Sequence, residues 1–225
     1  GPEGVEQVVG GFNAAYALDR GYRHAHHDHG RGLMPLAAGE MQPRAIGPFK
    51  AGEAPQGRRS VVFERDGLVV TAIEVDHRPV TPALAYRFDY RGRSVVITGD
   101  TVYYPPLAAA ARGADLMVSE AESHELLGIL AEGIAATGDG RLAGVLRDTA
   151  SYHLTPVQAA KMANEAGVRE LVYTHIAPPI PVRPMAVPWL RGVDEVRPEG
   201  VRMGRDGLLI TVPLDGGPMV FDELK

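Results

Sequence analysis

Val69-Val70-Thr71-Ala72-Ile73-Glu74-Val75-Asp76-His77 is a β-branched, apolar run that stops on a histidine. Such a run reads as a strand, because branched side chains pack well on a pleated surface. Two more runs have the same form. Ser94 to Thr98 leads into Gly99-Asp100-Thr101, and Glu170 to Thr174 leads into His175. Each strand thus hands over one metal-type ligand at its exit. Ligands converge at strand ends in a layered α/β fold, since the scaffold is rigid there and the next loop is free to vary. His, Asp and His delivered this way make the donor set of a hydrolytic metal site. Singly, each has a plainer explanation: a structural histidine at 77, an Asx-type turn at Asp100 and a capping histidine at 175. The functional reading rests on their joint occurrence.

Working outward, Val5, Val8, Val9, Phe12 and Tyr16 recur at helical spacing and predict an amphipathic helix over residues 4–19. Residues 30–58 are rich in Gly, Pro and Ala and read as a long loop. Ser60 to Arg65, the turn Asp66-Gly67 and Leu68 to Val75 form one predicted hairpin. Leu84 to Tyr90, Arg91-Gly92 and Ser94 to Thr98 form another. Short helices are expected at Pro105 to Arg112 and His124 to Ala136, with a buried strand at Asp115 to Ser119 between them. Thr155-Pro156 opens the clearest helix: Thr155 caps it, Pro156 takes the first helical position and Gly167 stops it. Residues 176–200 are Pro-rich and irregular, and Leu208 to Val212 and Met219 to Phe221 close the chain as strands. No repeat or inter-domain linker is visible, so residues 1–225 are expected to form a single domain.

Composition narrows the function. The formal net charge is -5, which disfavours nonspecific grip on a nucleic-acid backbone. With no cysteine, any metal must be held by nitrogen and oxygen. No apolar run approaches the roughly 18 to 20 residues needed to span a bilayer. Composition thus disfavours nucleic acid and membrane as partners and leaves homodimerisation open.

A fourth histidine, His153, stands in Tyr152-His153-Leu154-Thr155-Pro156, directly ahead of the predicted helix. The positive end of the helix dipole should disfavour its imidazolium and give a proton donor of low pKa. Its plainer explanation is an exposed loop histidine. Glu120, at the end of the strand before it, is placed to orient it, and Glu122 competes for that role.

Together, V-D-H-R, V-V-I-T-G-D-T, A-D-L-M-V-S-E-A, H-L-T-P-V-Q-A-A and L-V-Y-T-H resemble, in order and approximate spacing, the ribonuclease Z-like and arylsulfatase-like branch of the metallo-β-lactamase superfamily. The resemblance implies an α/β (α+β) fold built as a four-layer αββα sandwich, with a dinuclear zinc site at one edge. It implies that His77, Asp100 and His175 are metal ligands, Asp100 bridging two ions. It further implies that His153, backed by Glu120, protonates the leaving group. The reaction implied is hydrolysis of a small ester, phosphodiester or sulfate ester by metal-activated hydroxide, and only through this resemblance is a small-molecule substrate the expected partner. The alternatives are tRNA 3′ processing by a ribonuclease Z-type enzyme and an inactive fragment that keeps the fold. The first alternative is weakened because residues 78–99 leave room only for a hairpin, where ribonuclease Z proper carries a long tRNA-gripping arm.

That family's hallmark is H-x-H-x-D-H, and His24-Ala25-His26-His27-Asp28-His29 matches it literally. In the family the motif follows a buried strand. Here it follows Ala17-Leu18-Asp19-Arg20-Gly21-Tyr22, a polar helix end, and stands too close to His77. The opening Gly1-Pro2-Glu3-Gly4 instead resembles the G-P-x-G that follows the true motif in relatives. The expectation is therefore that His24, His26, Asp28 and His29 are a decoy and that the genuine motif and first strands lie upstream. On that reading this chain binds metal weakly, has little activity and tends to aggregate. The loop at 30–58 and the segment at 176–200, Trp189 included, are expected to wall the substrate pocket.

Overall fold

The computed structural model describes residues 2–47, 49–50 and 52–224. They fall into two compact units, residues 1–51 and 52–225.

The first unit carries two helices, α1 (Pro2–Ala15) and α2 (Ala17–His27). The single helix expected over 4–19 is broken at Tyr16, and the second helix runs on through the histidine run. None of the residues of α2 is buried, so no apolar face marked its true length.

The second unit is built on a seven-stranded sheet whose order follows the sequence: β1 (Arg59–Arg65), β2 (Leu68–His77), β3 (Val80–Tyr90), β4 (Arg93–Ile97), β5 (Leu116–Glu122), β6 (Glu170–Ala177) and β7 (Val201–Met203). The first four strands pair antiparallel through tight turns, and β4 to β7 pair parallel. The two-residue turns at Asp66-Gly67 and Arg91-Gly92 hold all four residues at positive φ, as such hairpins require. Parallel neighbours need crossovers. These are α3 (Pro105–Ala110) between β4 and β5, and α4 (His124–Ala136), α5 (Gly140–Asp148) and α6 (Pro156–Ala166) between β5 and β6. Two short helices, α7 (Ala186–Trp189) and α8 (Val193–Val196), lie between β6 and β7. A separate ribbon pairs β8 (Leu208–Thr211) with β9 (Val220–Glu223).

The direction of the strands positions the site. Both β2 and β4 are antiparallel to β3, so they point the same way, and β5 and β6 are parallel to β4. The C-terminal ends of β2, β4, β5 and β6 therefore lie along one end of the sheet. Those four ends carry or lead into His77, Asp100, Glu120 and His175.

One face of the sheet is packed by helices. α3 rests on β2 and α6, and α6 on β5 and β6. The core runs through Ile73, Val75, Val96, Leu107, Met117, Leu154, Met162, Leu171, Tyr173 and Trp189. α6 buries Pro156, Ala159, Ala160, Met162, Ala163 and Ala166, a stripe at helical spacing whose small members allow close approach to the sheet. Its start has a complete capping box between Thr155 and Gln158, and its end is Gly167 at φ 64°, as the sequence predicts.

The mixed α/β class is as expected. Of the four layers expected, the described residues form one large sheet with its helices and the short β8–β9 ribbon. The sequence did not announce α5, α7, α8 or β7. The first is rich in Gly and Arg, the next two sit inside a Pro-rich stretch, and β7 is only three residues long. Trp189 corrects another expectation: it is buried against Tyr173 and donates to the Ala177 carbonyl at 3.0 Å, so it anchors the core instead of walling a pocket.

Gly99 shows how the scaffold presents Asp100. Its φ is +58°, and a Cβ there would stand 2.7 Å from the Leu84 carbonyl oxygen. Gly99→Ala is expected to cost about 1–3 kcal/mol of stability. Urea denaturation measures it, and an unchanged midpoint would show that the β4 exit tolerates a side chain.

Candidate metal centre

The histidine that ends β2 is turned by hydrogen bonding. His77 Nδ1 lies 2.8 Å from the carbonyl oxygen of Tyr152. A carbonyl only accepts, so Nδ1 carries the hydrogen and Nε2 keeps its lone pair for a metal. A register shift between Val75 and His77 in the β2–β3 ladder accompanies this turn.

His175 is re-aimed in a similar way. In the β5–β6 ladder Glu120 pairs with Thr174 and Ala121 with Ile176, so His175 is bulged out of register. Its φ of 45° lies in the left-handed region, which a non-glycine residue occupies only when its surroundings enforce it. The bulge leaves the side chain half exposed, with Nδ1 3.9 Å from Asp100 Oδ1.

His153 stands between these groups. Its ring stacks on that of His175 with centroids 5.3 Å apart, and meets that of His77 edge-on at 5.0 Å. Ligand atoms of His77, Asp100 and His153 all lie within 4.8 Å of one another, as do those of Glu120, His153 and His175. Both groups run through His153, the residue expected as proton donor, whereas the expected ligand set His77, Asp100 and His175 does not form a group of its own among the described residues.

Glu120 is the fixed point. It is 1% exposed, and its Oε1 accepts from the backbone N–H of Thr101 at 3.0 Å and of Leu154 at 3.1 Å. The same oxygen is 3.2 Å from His153 Nδ1. Glu122 reaches the other side of the ring, its Oε1 3.7 Å from Nε2. The sequence left the two carboxylates as competitors, whereas each faces its own ring nitrogen.

Burial pushes the His153 pKa down, but the hydrogen bond and charge of Glu120, with the charges of Glu122 and Asp100, outweigh it, and the net shift is upward. This reverses the low pKa expected from the helix dipole: close carboxylates act more strongly than partial charges at a helix end. Neighbouring His124 goes the other way, with burial pushing it down against the raising effect of the same two glutamates.

The Thr101 hydroxyl bonds the carbonyls of Asp76 and Val102 and does not hold the Asp100 carboxylate. In the His24–His29 run the pattern is helical through His27, and His24 Nδ1 and Asp28 Oδ1 are both engaged by the backbone of Met34. No three of its side chains gather into a candidate metal group. Helical spacing aims His24 and His26 to different sides, whereas the family's motif requires convergence.

Tyr152 was missed in the sequence. Besides fixing His77 with its carbonyl, it packs its ring 5.3 Å from that of His77 and 4.9 Å from that of His153. Its place next to His153 was the only signal. The donor set suits a divalent metal ion, being nitrogen and carboxylate oxygen with one imidazole tautomer already set. The buried Glu120 Oε2, which has no hydrogen-bond partner, fits a site that gains a positive charge.

Residues 22–176 match the family model described as the beta-lactamase superfamily domain. A ribonuclease Z of Mycobacterium sp. (strain KMS) is 33% identical over 180 residues, covering 80% of this chain and 54% of that protein. A putative ribonuclease Z of Mycobacterium tuberculosis (strain CDC 1551 / Oshkosh) is 33% identical over 180 residues, covering 80% of this chain and 68% of that protein. The chain spans about half the length of most curated relatives it matches. Among solved structures, the metallo-beta-lactamase fold protein YhfI from Bacillus subtilis aligns with a TM-score of 0.47 and 20% identity, over 77% of this chain and 54% of that one.

The raised pKa of His153 has a stability consequence. A histidine whose folded pKa exceeds its unfolded value stabilises the fold fully below the unfolded pKa, and that contribution is lost as pH rises through the folded pKa. In the metal-free chain, NMR titration of the His153 ring is expected to give a pKa above the ordinary 6.5. Glu120→Gln should bring it down and flatten the loss of stability above that pH. A parent value at or below 6.5 would contradict the carboxylate contacts.

Proposed function

We propose, from the premise that this chain belongs to the beta-lactamase superfamily, that it serves as a metal-dependent hydrolase of a small ester, phosphodiester or sulfate ester. The observation that carries this reading is the meeting of His77, Asp100, His153, Glu120 and His175 at one end of the sheet. In it, His77, Asp100 and His175 hold the metal, zinc by donor type, and two ions occupy a complete site. Three protein ligands suit one ion with an open position, so a second ion calls for further donors.

A bound divalent ion supplies Lewis acidity at the attacked centre and toward the attacking water. The chain's own residues do the rest. The Tyr152 carbonyl keeps the hydrogen on His77 Nδ1 and so presents Nε2. Glu120, tied to two backbone N–H groups, orients His153 from its Nδ1 side. Nε2 is then the nitrogen that delivers a proton to the leaving oxygen, as a general acid. The neighbouring carboxylates favour the protonated form of that ring.

A small substrate is favoured by the short turn at Arg91-Gly92, which joins β3 directly to β4 and leaves no arm between His77 and Asp100. The net charge of -5 points the same way. A second reading, ribonuclease Z-type tRNA 3′ processing, is favoured by the printed names of the mycobacterial relatives.

Zinc uptake and hydrolysis test both. The zinc-supplemented chain is expected to hydrolyse 4-nitrophenyl esters of acetate, phosphodiester or sulfate type at a low rate, as its short ligand set implies, and to leave a precursor tRNA intact at physiological salt. His77→Ala and His175→Ala should each weaken zinc binding and turnover by about 100-fold or more, the upper end of what even outer-shell changes cost. Site-specific cleavage of the precursor tRNA would favour the second reading. Zinc binding and turnover unchanged in both variants would exclude both.

A further inference from the structure

Strand β5 ends Ser119-Glu120-Ala121-Glu122. Residues two apart on a strand share a face, so both carboxylates project to the same side of the sheet. Both are buried, Glu120 at 1% and Glu122 at 3% exposure, and both approach one imidazole. Their situations differ. Glu120 Oε1 is committed to two backbone N–H groups, as described above. Glu122 is held only through its main chain, whose N–H donates to the Leu154 carbonyl at 2.8 Å. Its Oε1 stands 3.7 Å from His153 Nε2, beyond hydrogen-bond reach, and its Oε2 is buried without a partner. A buried carboxylate without a hydrogen bond is costly and calls for an explanation. Structural duty does not supply one, since an apolar side chain of similar size would fill the space at lower cost.

We infer that Glu122 is a positioning residue for His153. This rests on the reading above that His153 is the proton donor. Glu120 Oε1 faces Nδ1 at 3.2 Å, where that nitrogen has no hydrogen-bond partner, and Glu122 attracts the ring from the Nε2 side without taking the Nε2 hydrogen into a bond. The ring thereby keeps its stacked place beside His175 while Nε2–H stays free for the leaving oxygen. An immobile carboxylate on one side and an uncommitted one on the other allow the ring to shift toward substrate and return.

The test compares Glu122→Ala and Glu122→Gln in the zinc-supplemented chain on two phosphodiesters, one releasing 4-nitrophenol and one releasing phenol. A poor leaving group needs the proton more, so loss of donor positioning weighs on the phenyl ester. Glu122→Ala is expected to lower kcat on the phenyl ester about tenfold more than on the nitrophenyl ester, with KM little changed, and Glu122→Gln to restore most of the difference. Equal losses on both esters would overturn the inference, because a role in folding or metal binding cannot sense the leaving group. A second readout needs no activity. In the metal-free chain, proton–proton contacts between the His153 and His175 rings should weaken in Glu122→Ala and persist in Glu122→Gln. Unchanged contacts in the alanine variant would also overturn it. If the parent hydrolyses neither ester, the hydrolase reading fails, and the ring contacts alone decide the role of Glu122.

Discussion

A single carboxylate oxygen holds the centre of this molecule together. Glu120 Oε1 accepts from the N–H of Thr101, just past the end of β4, and from the N–H of Leu154, just ahead of α6. It also lies 3.2 Å from the imidazole that both groups of candidate ligands share. Two segments far apart in sequence are thereby pinned to the end of β5. Because Glu120 is buried, these contacts are little weakened by water, and leaving its lone pairs unmet would be expensive. The position of Asp100 and the position of His153 both follow from this one anchor.

The sheet makes that anchor possible. A meander of β1 to β4 gives way to parallel pairing from β4 to β7, and the change brings β2, β4, β5 and β6 into one direction. Their C-terminal ends share one edge of the scaffold, where loops can carry chemistry without disturbing the core. Local irregularities then do the aiming. A register shift precedes His77, a glycine at positive φ precedes Asp100, and a bulge with a left-handed backbone turns His175 outward. All three depart from ideal strand geometry at the point where a side chain must face the site.

Electrostatics completes the arrangement. Two carboxylates flank His153, one at each ring nitrogen, and their attraction overcomes the burial that would otherwise disfavour its charge. His124, near the same carboxylates but dominated by burial, shifts the opposite way. The balance between desolvation and neighbouring charge separates two histidines that a composition count treats alike.

Much of this was readable in the sequence. The β-branched runs ending at His77, Thr98 and Thr174 announced the strands, and Thr155, Pro156 and Gly167 announced α6 with both of its ends, because these signals are local and depend on backbone sterics and capping. The same runs singled out His77, Asp100 and His175, and the helix start singled out His153. Other features had no local signal. The continuation of the second helix through His27 is one, since that helix buries nothing, although its polar lead-in already marked the histidine run as a decoy. The Tyr152 carbonyl, the split roles of Glu120 and Glu122, and the upward shift of His153 arise from contacts between distant segments. Sequence alone determined which side chains stand at strand ends. Tertiary structure decided which of them meet, because convergence depends on strand direction and crossover packing, and these are properties of the assembled sheet.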